Sequence, residues 1–159
     1  MQANDITQTE EGLFRKVIRL MGNRFEITVS AAEKSWAEEC IEEAIQEISR
    51  IEKLLTTFDG SSQANLINRN AGIQPVKTDR EVFELIQRSK KISSLTQGAF
   101  DITYGSADKR FWNFDTSMTE LPDAETAKQL VRLINYRNVI LDEKRNTVFL
   151  KEKGMRIGF

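Results

Sequence analysis

From Leu13 to Leu20 apolar and basic residues alternate, with Leu13, Arg15, Val17 and Arg19 in one row and Phe14, Lys16, Ile18 and Leu20 in the other. A period of two predicts a strand. Phe25, Ile27 and Val29 continue as a second strand after Met21-Gly22-Asn23, where Gly and Asn tolerate positive φ and allow either a tight turn or a bulge. Glu33 to Leu55 changes period. Trp36, Cys40, Ile41, Ala44, Ile45, Ile48, Ile51, Leu54 and Leu55 recur every three or four residues, which predicts a long helix with an acidic outer face. Thr56-Thr57-Phe58-Asp59-Gly60 breaks the pattern. Ser62 then caps a short helix carrying Leu66 and Ile67, which stops near Asn70-Ala71-Gly72.

Pro75-Val76-Lys77 reads as extended, and Thr78 or Asp79 opens a helix. Its apolar face is Val82, Phe83, Leu85, Ile86, Ile92 and Leu95, with Gly98 as the C′ residue. Gly98 to Gly105 is loop-like, and Pro122 opens a helix through Ala124, Ala127, Leu130, Val131 and Ile134. Arg137 to Asp142 and Thr147 to Lys151 read as strands joined by the turn Glu143 to Asn146, and Met155, Ile157 and Phe159 begin a third strand. Strands first, then helices, then a hairpin predict an α+β fold: a largely antiparallel sheet covered by amphipathic helices, as one domain over residues 1–159. The apolar last strand has no successor. That pattern suggests a chain cut short and inclined to dimerise through an unpaired edge, or else an edge strand tucked into the core.

The chain has 159 residues, 40% of them hydrophobic and 30% charged, with a net charge of −1 from 23 basic and 24 acidic residues. That balance suits a globular domain and offers no basic stripe for nucleic acid; Lys90-Lys91 and Lys151 with Lys153 read as solvated surface. Histidine is absent, which removes His-based acid/base chemistry and His-ligated metals from these residues. The lone Cys40 excludes an internal disulfide, and its spacing with Trp36 and Ala44 places it in the core. A metal bound here would need oxygen ligands, which favours Mg²⁺ or Ca²⁺. Met1 to Glu10 is polar, without the apolar stretch of a secretory signal, so the sequence as given reads as cytoplasmic unless a signal was removed.

Three loops combine turn residues with side chains able to hold a flat cofactor: Met21-Gly22-Asn23, Thr56-Thr57-Phe58-Asp59, and Gly98-Ala99-Phe100-Asp101-Ile102-Thr103-Tyr104-Gly105. Neither G-x-x-x-x-G-K-[ST] nor G-x-G-x-x-G occurs, so P-loop and Rossmann sites have no support. Taken together and in order, the three loops resemble those of the ApbE family of FAD:protein FMN transferases. That family typically shows Met-Gly-Thr, Ser-Thr-Tyr/Phe and Gly-Ala-Phe/Met-Asp-x-Thr-x-Gly at these places. Asn65-Leu66-Ile67-Asn68, Trp112-Asn113-Phe114, Tyr136 to Asp142 and Gly154-Met155-Arg156-Ile157 extend the similarity over nearly all of Phe14 to Phe159.

The resemblance implies an enzyme that splits FAD and attaches FMN through a phosphoester to a Thr or Ser of a target flavoprotein, using Mg²⁺ and releasing AMP. It implies that Met21 and Phe58 contact or stack on the flavin. Ala99, Phe100 and Asp101 would line the FAD site, with Asp101 as a hydrogen-bond acceptor. Many relatives carry an Asp that touches FAD where this chain has Gly158, so only a backbone contact is available there. Asn23 in place of Thr is a second departure. The family's metal site lies in a segment beyond Phe159, which implies that this chain is the N-terminal portion and has little activity alone. Two other readings stand beside this one: a non-catalytic module that binds flavin or a partner protein, and a structural domain in which Phe58 and Phe100 are simply core.

Overall fold

The computed structural model describes residues 6–10, 12–107 and 123–159. Pro122 and the segment Trp112-Asn113-Phe114 lie outside the described residues. The chain divides into two compact units, Met1–Leu54 and Leu55–Phe159.

In the first unit, strands β1 (Thr7–Glu10), β2 (Leu13–Leu20) and β3 (Asn23–Ser30) form an antiparallel sheet in that order, followed by helix α1 (Lys34–Leu55). The alternation sets the faces. Phe14, Ile18 and Leu20 from one row of β2 join Phe25, Ile27 and Val29 of β3 in a core with Ala37, Ile41 and Ile45 of α1. Lys16 shares that row, and its Nζ reaches the Glu42 carboxylate on α1 at 3.6 Å. The β2–β3 register is unbroken from Leu13↔Ser30 to Leu20↔Asn23. Met21-Gly22 is therefore a two-residue turn and not a bulge, with φ 51° and 74°, the left-handed pair of a type I′ hairpin.

The polar N-terminal segment is more than a lead-in: it forms β1, a short edge strand without the apolar alternation that signals one. The buried seam of α1 runs through Ala37, Ile41 and Ile45, which leaves Trp36 59% exposed and Cys40 only half-buried.

The second unit holds α2 (Gln63–Arg69), β4 (Val76–Lys77), α3 (Arg80–Leu95), α4 (Ala124–Val131), β5 (Val139–Asp142) and β6 (Thr147–Leu150). Its sheet is antiparallel in the order β4-β6-β5. Ser62 caps α2 as predicted, its Oγ accepting from the Asn65 N–H at 3.1 Å. Val82, Phe83 and Ile86 of α3 are buried, and the buried seam runs on through half-buried Ser89 and Lys90 to Ser93, which leaves Ile92 and Leu95 beside it and exposed. Helix α3 ends in a Schellman motif. The Gly98 N–H donates to the Ser93 carbonyl at 2.8 Å and the Gln97 N–H to the Ser94 carbonyl at 3.2 Å. Gln97, with φ 54°, thus holds the C′ position expected for Gly98. Lys90, read from sequence as solvated surface, is half-buried and donates to the Val139 carbonyl on β5; burial lowers its pKa.

Tyr136–Asn138 form a 3₁₀ turn, so β5 starts two residues later than the pattern predicts. The stretch from Met155 to Phe159 is not a strand. Met155 and Ile157 are buried, as their apolar character demands, but side chains hold the segment in place of a ladder. The Asn68 carboxamide accepts from the Ile157 N–H at 2.8 Å and donates to the Ile157 carbonyl at 3.1 Å. The expected third strand is replaced by this two-bond clamp.

Candidate functional site

The Gly98–Gly105 segment is built around Asp101. Its Oδ1 accepts from the Thr103 N–H at 2.8 Å and the Thr103 hydroxyl at 2.6 Å, and its Oδ2 accepts from the Tyr136 N–H at 2.9 Å. Thr103 in turn accepts from the Asn135 N–H at 2.8 Å, which leaves a buried hydroxyl with both a donor and an acceptor partner. Asp101 therefore caps the 3₁₀ turn Ile102–Ser106 and ties it to the segment that leads into β5. Both carboxylate oxygens serve the fold, and a ligand would have to use their remaining lone pairs.

Gly105 closes the segment for a steric reason. A Cβ there would sit 3.2 Å from the carbonyl carbon and oxygen of Ile157, so the turn and the terminal segment pass backbone to backbone. Ser106 adds a clamp beside it, accepting from the Arg156 N–H at 2.8 Å and donating to the Arg156 carbonyl at 3.2 Å. Two residues on, the Gly158 N–H donates to the Ile102 carbonyl at 3.1 Å.

These contacts shape a small cleft lined by Thr57, Tyr104, Gly105, Arg156, Ile157, Gly158 and Phe159, with a volume of about 60 Å³. A single water needs about 10–15 Å³ of such space, so the cleft takes a few water-sized groups, the size of one polar group or a ring edge and not of a dinucleotide. Gly158 is the one predicted site residue in its lining. Asp101 stands beside it through the Ile102–Gly158 bond, and Phe58 follows Thr57 in sequence, with its own side chain 93% exposed. Ala99 and Phe100 are exposed on the same turn as Asp101. Met21 belongs to the first unit, at the tip of the β2–β3 hairpin, and is 40% exposed. Tyr104 and Arg156 lie within the motifs of the family resemblance, which assigns neither a role. Both enter the cleft because Gly105 and Ser106 pin the terminal segment, a contact with no periodic signal.

Asp59, next to Phe58, is committed locally. Its Oδ1 accepts from the Ser61 N–H and hydroxyl, each at 2.8 Å, and these bonds hold the carboxyl below its ordinary pKa. Among the described residues no group of three or more His, Cys, Asp or Glu side chains could hold a metal ion, and no helix is long and apolar enough to cross a membrane.

Comparison with known proteins places these features in a family. Two curated FAD:protein FMN transferases match. The one from Klebsiella pneumoniae is 38% identical over 112 residues, covering 70% of this chain and 35% of that protein. The one from Treponema pallidum is 26% identical over 122 residues, covering 74% and 33%. The chain thus spans about a third of the length of these relatives. Among solved structures, the ApbE protein of Thermotoga maritima superposes with a TM-score of 0.76 at 27% identity, over 92% of this chain and 47% of that one. The apo flavinyl transferase ApbE of Pseudomonas stutzeri shares the fold, with a TM-score of 0.71 at 19% identity. The α+β, largely antiparallel architecture is the one these structures have. The ApbE family model itself matches residues 21–159, from the hairpin tip to the cleft, and the chain belongs to the ApbE family.

Proposed function

We propose that this chain is the N-terminal, flavin-binding portion of an FAD:protein FMN transferase. The observation that carries the reading is that both curated relatives bear that name and match the chain over most of its own length. In the reaction, a Thr or Ser hydroxyl oxygen of the target flavoprotein bonds to the phosphorus on the FMN side of the diphosphate of FAD. The bond from that phosphorus to the bridging oxygen breaks, AMP leaves with the oxygen, and the hydroxyl proton is lost to the medium. A bound magnesium ion would neutralise charge on the diphosphate. The contribution proposed for the described residues is binding of the flavin.

In the first unit Met21 offers a thioether to a flavin, and in the second Phe58 offers a ring, each exposed at a turn position. Ala99, Phe100, Asp101 and the backbone of Gly158 offer the polar and apolar edge of the FAD site. A chain spanning about a third of its relatives is expected to bind flavin without turning over by itself. A second reading, a non-catalytic flavin- or partner-binding module, is favoured by Gly158, which puts no side chain into the cleft. One experiment separates the two: incubate the whole protein with FAD, Mg²⁺ and a flavoprotein carrying an acceptor Thr or Ser. A mass gain of one FMN on the target, with AMP in solution, is expected. FAD binding without transfer would select the module, and an absence of FAD binding would end both readings.

A further inference from the structure

Gly158 and Tyr104 occupy one place. A Cβ built at Gly158 would lie 2.9 Å from Cζ, 3.0 Å from Cε1 and 3.0 Å from Oη of Tyr104. The phenol end of that ring therefore fills the volume in which any side chain at position 158 would begin. Buried aromatics are common, but this ring is not buried: it is 48% exposed and lines the cleft beside Thr57, Arg156 and Phe159. A half-exposed ring that fills the place of a neighbour's side chain presents part of its surface to the cleft and so to a ligand.

We infer that Tyr104 is a ligand-contacting residue of this cleft, its phenol supplying the function that position 158 cannot. The inference rests on the flavin reading above and deepens it by naming the group that recognises the nucleotide there. The volume of about 60 Å³ limits the contact to one part of the ligand. The phenol both donates and accepts a hydrogen bond, so the part it suits is a polar edge of a flavin nucleotide: a carbonyl, a hydroxyl or a phosphate oxygen. The pairing is exclusive. Glycine at 158 and an aromatic ring at 104 are a matched choice, and a side chain at 158 displaces the ring.

The test is a double-mutant cycle in the whole protein, read by quenching of flavin fluorescence on FAD binding and by thermal melts. Tyr104→Ala is expected to weaken FAD binding about tenfold, the ratio that one lost contact of about 1.4 kcal/mol produces. Tyr104→Phe, which keeps the ring and the packing, should lose about threefold, the share of a single modest hydrogen bond. Gly158→Ala should push the ring out of place and weaken FAD binding with little change in melting temperature, because the crowded atoms are the mobile end of a side chain. In the Tyr104→Ala background the same Gly158→Ala change should cost nothing further. Wild-type affinity in both Tyr104 variants, or an equal cost of Gly158→Ala with and without the ring, would overturn the inference while leaving flavin binding intact. A wild-type protein that does not bind FAD would instead sink the flavin reading, and the inference with it.

Discussion

The two units are held together by different means. In Met1–Leu54 the interior is apolar row against apolar row: β2 and β3 present Phe14, Leu20, Phe25, Ile27 and Val29, and α1 answers with Ala37, Ile41 and Ile45. Among its charged contacts, Arg15–Glu26 at 3.1 Å is open to solvent, where the attraction of Arg15 lowers the pKa of Glu26 and contributes little to stability. In Leu55–Phe159 the apolar core is joined by polar bonds between residues far apart in sequence. Asn68 holds Ile157, Asp101 holds Tyr136, Thr103 holds Asn135, and Ser106 holds Arg156. Polar clamps specify a geometry that apolar packing alone leaves loose, because each requires particular donors and acceptors to meet within a narrow range of distance and angle. The clamped unit is also the one that carries the cleft, as a site needing fixed positions requires.

The first unit is most sensitive at Ile41. If packing alone holds the first unit, Ile41→Ala, at a fully buried position, should cost about 2–5 kcal/mol by loss of burial and creation of a cavity. Urea denaturation followed by circular dichroism measures it. A cost below about 1 kcal/mol, the range of surface changes, would mean that the interface of β2, β3 and α1 is looser than its buried areas indicate.

The second unit breaks at Asn68. Asn68→Ala strands the Ile157 N–H and carbonyl, at about 1–3 kcal/mol for an unpaired buried group. Asn68→Asp sharpens the point. The new carboxylate still accepts from the Ile157 N–H but sets an anionic oxygen against the Ile157 carbonyl. Repulsion disfavours the charged form in the folded state, so the introduced carboxyl has a raised pKa. Stability it contributes is present at low pH and is lost as pH rises through that pKa. The variant should therefore be closer to wild type near pH 4 than at pH 7, since a protonated carboxyl donates as the amide did. Urea midpoints at the two pH values, with Asn68→Ala as the pH-independent reference, decide it. Parallel behaviour of the two variants would show that the clamp's donor bond carries no weight.

The same division explains what could be read from sequence. Period two found β2 and β3, and period 3.6 found α1, because each reports a face that must be buried against one neighbour. The same rule named Trp36, Ile92 and Leu95 as core, and all three are exposed. Periodicity shows which residues can share a face but not which edge of that face the neighbour covers: Ala37 is buried beside exposed Trp36, and the seam of α3 reaches Ser93 while passing by Ile92 and Leu95. β1 escaped because an edge strand of Thr and Gln needs only backbone pairing with β2. The terminal segment was legible as buried, through Met155 and Ile157, but not as clamped, since an Asn 89 positions away leaves no local signal. For the candidate site, composition removed histidine chemistry and the loop motifs carried the resemblance. The cleft itself depends on Gly105, Ser106 and the Tyr104–Gly158 approach, none of which a spacing rule contains.

The smallest effect expected is also of opposite sign. Met21 sits at φ 51° in a turn type whose first position favours Asn or Gly, since a long side chain in the left-handed region is strained. Met21→Asn should relieve that strain and stabilise the hairpin by up to about 1 kcal/mol, visible as a raised urea midpoint. If Met21 is kept for flavin contact, the same change should weaken FAD binding in the whole protein, so stability and affinity move in opposite directions. That outcome would make the first unit a carrier of one strained functional residue on an otherwise apolar frame. A variant both more stable and equal in FAD affinity would show that the hairpin tip takes no part in binding, and would confine the candidate site to the clamped unit.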